Sequence, residues 1–158
     1  MDIDSFWEYA DPALSEERFR TALGSAKDDE RLELLTQIAR TLSLRGRFDE
    51  AHEVLNEVES QLLKAGPRPR LRYLLELGRT LNSNGEIEKA RDLFVEAWEQ
   101  AQSNHLEGLA VDAAHMVAIT FSGTPDAIAW NQRGLVVARA SQDQKARALI
   151  PAILNNSA

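Results

Sequence analysis

The side chains that could do chemistry in this chain are three histidines, many carboxylates and a set of arginines; cysteine is absent. His52, His105 and His115 never fall three or four residues apart, so no two imidazoles share the helix face that a metal site needs. Asp112 and His115 are one helical turn apart, a spacing at which a carboxylate can orient an imidazole. A structural hydrogen bond is the expected use of that pair, and a catalytic dyad is the alternative. Asp49-Glu50-Ala51-His52 spells an acidic nucleotide-hydrolysis box, but that chemistry also needs a GxxxxGK[ST] phosphate loop, which the sequence lacks. Without cysteine there is no thiolate nucleophile and no disulfide framework. The glycines punctuate turns and form neither a nucleophile elbow nor a phosphate cradle. The expectation is a non-enzyme with no cofactor and no metal.

The elements that carry these residues declare themselves by repetition. Arg45-Gly46-Arg47-Phe48-Asp49-Glu50-Ala51 lines up with Asn84-Gly85-Glu86-Ile87-Glu88-Lys89-Ala90 at an offset of 39. Upstream, Leu35, Ile38, Ala39 and Leu42 match Leu74, Leu77, Gly78 and Leu81, and downstream Leu55 matches Phe94. Apolar residues three and four apart make one stripe on a helix. A glycine just past that helix can take the left-handed conformation that ends it. The small residue Ala51 or Ala90 lets a second helix approach closely, and Leu55 or Phe94 fills the gap one turn later. One such hairpin cannot bury its apolar face alone, so neighbours must stack. A weaker third copy follows, with Thr124 as N-cap and Pro125 at the first helical position. Its first helix, near Leu106–Phe121, carries Met116 and Ile119 on the stripe and places His115 where Ile38 and Leu77 stood. Ser15 followed by Glu16 and Glu17 predicts a helix start. The spacing yields eight or nine helices with breaks near 11–14, 27–29, 46, 65–69, 85, 104, 123 and 142.

The sequence resembles the tetratricopeptide repeat superfamily. Leu74, Leu77, Gly78, Leu81, Ala90 and Phe94 follow its pattern of large, large-small pair and large on the first helix, then Ala and Phe on the second. The 39-residue period is similar to the longer-repeat arrays of bacterial regulators, and the resemblance covers roughly residues 32–158. It implies an all-α fold, a right-handed α-α superhelix of stacked antiparallel helix pairs, in one domain spanning 1–158. The parts are an N-terminal capping hairpin (1–27) and three helix pairs (29–65, 69–104 and 105–141). Residues 143–158 form either the first helix of a further, incomplete repeat or a C-terminal cap. Asp143 can cap that last helix, with Pro151 kinking or restarting it. The segment Leu154–Ala158 looks like the opening of another repeat, and the expectation is that the natural chain continues.

The resemblance also implies a function. Superfamily members bind peptides or proteins along a concave groove lined by each pair's first helix. Carried over position by position, the groove offers Glu33, Thr36, Arg40 and Ser43 from the first copy. The second gives Arg72, Leu75, Arg79 and Asn82, the third Ala110, Ala113, Val117 and Thr120, and Asn155 begins a fourth row. Such a surface, basic and polar on one side and apolar on the other, suits a peptide with an acidic group beside an apolar anchor. It lacks the Lys and Asn of the two-carboxylate clamp where Thr36 and Arg40 stand. The alternative for the arginines is pairing with groove acids such as Glu33 and Glu76. A self-assembly module, dimerising through the C-terminal helix of a larger regulator, is the second functional expectation.

Composition closes off other classes. The chain has 158 residues, 44% apolar and 27% charged, with a net charge of −7, which disfavours generic nucleic-acid binding. Residues 1–60 hold 15 acids against 7 bases. Lys64, Arg68, Arg70 and Arg72 form a local basic run, either a solvated loop or a docking patch for an acidic partner. No stretch is apolar enough to span a membrane and no signal peptide opens the sequence, so a cytoplasmic protein with no membrane partner is expected. Trp98 and Trp130 fall on second helices, where packing is expected. Trp7 either covers the open end of the stack or stands exposed as an anchor.

Overall fold

A computed structural model of the chain describes residues 1–156. Nine α-helices follow one another there: α1 (Pro12–Leu23), α2 (Asp28–Leu44), α3 (Phe48–Glu59), α4 (Pro67–Ser83), α5 (Ile87–Ser103), α6 (Glu107–Thr120), α7 (Pro125–Ala140), α8 (Gln144–Ala148) and α9 (Ile150–Asn156). Two 3₁₀ turns, Ile3–Phe6 and Leu62–Lys64, precede α1 and α4. Helices pack as the pairs α2/α3, α4/α5 and α6/α7; the first pair meets the second chiefly through α2 on α4, and the second meets the third chiefly through α5 on α6. This is the all-α stack of helix pairs expected from the 39-residue offset.

The hairpin turns repeat in atomic detail. Gly46 and Gly85 take φ of 73° and 87°, and the next amide reaches back five residues, Arg47 N–H to the Leu42 carbonyl and Glu86 N–H to the Leu81 carbonyl, each at 2.9 Å. That is the glycine-ended helix stop that satisfies otherwise orphaned carbonyls. His105 does the same between α5 and α6: its φ is 55°, and Leu106 N–H returns to the Ala101 carbonyl at 3.0 Å. This histidine is a turn residue.

The core follows the stripe. Leu34, Leu35, Ile38 and Leu42 gather with Phe19 and Val58, and Leu71, Leu74, Leu75, Phe94 and Ala97 form the next cluster. Around α6 the core thins to Ala110, Ala113, Ala114, Val117 and Ala118, all buried. Trp98 and Trp130 meet edge to face at 5.9 Å, half-buried between second helices. Trp7 covers its end of the stack, with its indole N–H donating to Gln37 Oε1 at 2.9 Å and its ring against Phe19.

Local details differ from the sequence reading at three places. Helix α1 begins at Pro12, not Ser15, because Asp11 caps it by accepting from Leu14 N–H. Ser15 is buried inside the helix, and its hydroxyl ties to the Glu8 backbone. Thr124 precedes α7 without capping it: its hydroxyl donates to the Phe121 carbonyl. The expected helix from 145 onward divides into α8 and α9 at Leu149, just before Pro151. Helix α8 packs on α6 and α9 on α7, so the two short helices cover both members of the third pair. Ser157 and Ala158 lie outside the described residues.

Candidate functional site

The first helices α2, α4 and α6 bring their inward rows together on one concave side, and the rows enclose a cavity of about 410 Å³. Two further elements complete its wall. Asp4 and Tyr9 come from the N-terminal segment, and Lys145, Ala148 and Leu149 from α8 and the turn after it. Lys145 Nζ pairs with Asp2 at 3.0 Å and Asp4 at 2.9 Å, joining the first turn of the chain to α8 across a separation of more than 140 residues.

Of the expected groove residues, Arg40, Arg72, Leu75 and Arg79 line this cavity. Thr36 is wholly buried and donates to the Glu33 carbonyl at 2.6 Å. Glu33 and Ser43 are buried too, and Ala110, Ala113 and Val117 of α6 sit in the core shared with the second pair. Asn82 and Thr120 are half-buried, Thr120 accepting from Arg91 at 3.0 Å, and Asn155 is exposed on α9 away from the cavity. Sequence reasoning missed Asp4, Tyr9 and Lys145, because their elements lie outside the repeat that the pattern describes.

The arginines pair with acids from neighbouring rows. Arg79 donates through Nη2 to both oxygens of Asp112 at 2.6 Å and through Nη1 to Glu76 Oε1 at 2.5 Å. Burial alone would push Asp112 up, but Arg79 and Arg40 outweigh it and hold the carboxyl below the ordinary range. Burial would likewise strip Arg79 of its proton, and Asp112 and Glu76 more than offset that. Arg72 reaches Glu33 at 3.4 Å and Asp4 at 3.5 Å. Glu33 is pushed up by burial despite Arg72 and Arg68 beside it. The basic run is likewise engaged locally: Arg68 faces Glu33 at 3.7 Å, and Arg70 donates to the Ala65 and Leu63 carbonyls.

Arg40 is the exception. Its guanidinium carbon lies 5.1 Å from the Trp7 ring and 5.3 Å from the Tyr9 ring, stacked rings themselves 4.7 Å apart. The nearest acid oxygen, Glu76 Oε2, is 4.0 Å away, too far for a hydrogen bond. Arg40 Nε and Glu76 Oε2 are both buried without a hydrogen-bond partner.

Chemistry of other kinds finds little support in this arrangement. Arg79 occupies both oxygens of Asp112, and His115 stands apart from the residues lining the cavity. Among the described residues no cluster of His, Asp and Glu has the geometry of a metal site. Nor is any helix among them long and apolar enough to cross a membrane.

No family model matches the chain, and no curated protein matches it either. Among solved structures, the chain is similar to one from Podospora anserina described as a kinesin light chain with nearly identical TPR-like repeats. The two are 19% identical with a TM-score of 0.48, over 98% of this chain and 89% of that one.

Proposed function

We propose that this chain is a non-catalytic scaffold that binds a protein or peptide on its concave face, with an acidic group of the partner at Arg40 and an apolar anchor beside Leu75. The observation that carries the reading is Arg40 itself. A guanidinium held against two aromatic rings, which makes no hydrogen bond among the described residues, is a fixed and unused donor set on the cavity wall. Arg72 and Arg79 shape the wall through their acid partners, and the buried Glu33 and Thr36 support it from beneath. Helix-pair repeats present such a surface because only neighbours in the stack are needed to hold it.

The test compares wild type with Arg40→Glu against an array of ten-residue peptides of varied acidity. Loss of the acidic peptides alone is the expected result. Equal recovery by both proteins would remove Arg40 from the binding surface.

A second reading rests on a different face. Ile128 and Val136 on α7 and Leu154 on α9 are about half or more exposed at the C-terminal edge, which favours self-association of two copies there. Light scattering across a dilution series decides it, since a constant monomer mass discards the dimer.

A further inference from the structure

The cavity has the size and lining of a small-molecule site as well as the position of a peptide groove. At about 410 Å³ it lies in the lower part of the range of ligand pockets. Five basic and five acidic side chains line it, so its charge is balanced before any ligand enters. Hydrogen bonding is not balanced. Lys145, Arg72 and Arg79 all meet carboxylates within 3.5 Å, whereas Arg40 makes no side-chain hydrogen bond among the described residues, its Nε being buried without a partner. A planar guanidinium with free edges matches the two oxygens of a carboxylate. The same wall also carries hydrocarbon, from Leu75, Leu106, Leu109, Ala148 and Leu149.

We propose that the cavity binds a small amphipathic monocarboxylate, a short aliphatic acid whose carboxylate lies on Arg40 and whose hydrocarbon lies along the leucines. A single negative charge suits a cavity whose own charges already cancel. A small ligand suits a wall that the Lys145 bridges carry around from α8 to the N-terminal turn. The proposal rests on the reading of the concave face as a binding surface, and it names a free small acid as occupant of the cavity itself.

The experiment uses the full chain, titrated with hexanoate, with its neutral counterpart hexanamide and with hexyl phosphate. Calorimetry gives affinity, and the Arg40 Nε–H resonance reports where the ligand sits. Hexanoate should bind saturably, shift that resonance, and exceed both hexanamide and hexyl phosphate by about tenfold or more, the scale of a lost charge-assisted pair. Arg40→Gln should lose the same factor, and Arg40→Lys should recover part of it. Because Arg40 also supports Trp7, Leu109→Trp is the second variant: it fills the cavity without touching the guanidinium and should abolish binding. Equal affinity for hexanoate and hexanamide, a preference for hexyl phosphate, or full binding by Leu109→Trp would each overturn the proposal. Peptides that bind through Arg40 while hexanoate fails would overturn it and leave the scaffold reading standing.

Discussion

The α4/α5 pair and the α6/α7 pair meet the same packing demand with opposite residues. In the α4/α5 pair the first helix offers a hole and the second a large plug: a Cβ on Gly78 would lie 2.5 Å from the Phe94 ring, which is wholly buried. In the α6/α7 pair both helices are small at the contact. Gly134 of α7 faces Ala114 of α6, where a Cβ would stand 3.3 Å from the alanine methyl. The difference teaches that the repeat keeps a close contact between paired helices without keeping the residue types that make it. Where the plug is lost, small side chains let the helices close together, and Ile153 from α9 fills behind, 3.4 Å from the same point.

The most direct way to break this comparison is to remove the plug. Phe94→Ala should destabilise the protein by about 3–5 kcal/mol, and Val111→Ala in the small-residue pair by about 2 kcal/mol, measured by urea unfolding. Similar losses at the two sites would mean that α4/α5 relaxes as α6/α7 does. Adding a methyl sharpens it from the other side. Gly78→Ala should lose about 1–3 kcal/mol by displacing the Phe94 ring, whereas Gly134→Ala should be near neutral, its mild crowding offset by the gain in helix propensity. An equal drop in Tm for both would put the tight contact elsewhere. A further, modest effect joins the two pairs. Asp112→Asn removes the charge that Arg79 of α4 draws from α6 and should lose about 1–2 kcal/mol at pH 7. Because Asp112 has a depressed folded value, its contribution is fully present above the unfolded value of 3.8 and is lost as pH falls through the folded one. Stabilities of wild type and variant should therefore converge in acid below pH 3.8 and not above it.

How much of this could be read in the sequence depends on the range of the contact. Gly46, Gly85, Ala51, Ala90 and Phe94 announced the pairs because a hairpin turn and its close approach are local, and the same local chemistry recurs 39 residues on. Arg40, Arg72 and Arg79 were expected on the inward rows by carrying the repeat pattern across, and all three line the cavity. Their partners were only half legible. Glu33 and Glu76 were named as competitors for the arginines, and they fill that role for Arg72 and Arg79. Asp112, which holds Arg79 most closely, was read instead as a partner for His115, since sequence proximity favours i, i+3 and says nothing of a neighbouring helix. The remaining walls of the cavity were out of reach. Tyr9 and Lys145 belong to segments without repeat register, and nothing local encodes their meeting with α2 and the N-terminal turn. Ser15 shows the same limit on a small scale: its type suggested a cap, while its hydroxyl serves the Glu8 backbone seven residues away.

Stacks of helix pairs are usually one-dimensional in their thermodynamics, each unit coupled only to the next, so the outermost units fray first and independently. The bridges from Lys145 to Asp2 and Asp4 alter that accounting. They connect the outermost units to each other, and fraying of α8 exposes the N-terminal turn to the same event. Amide protons at the two extremes should then exchange in step at low salt and uncouple as added salt screens these exposed charges, turning an open chain of neighbours into a salt-sensitive loop.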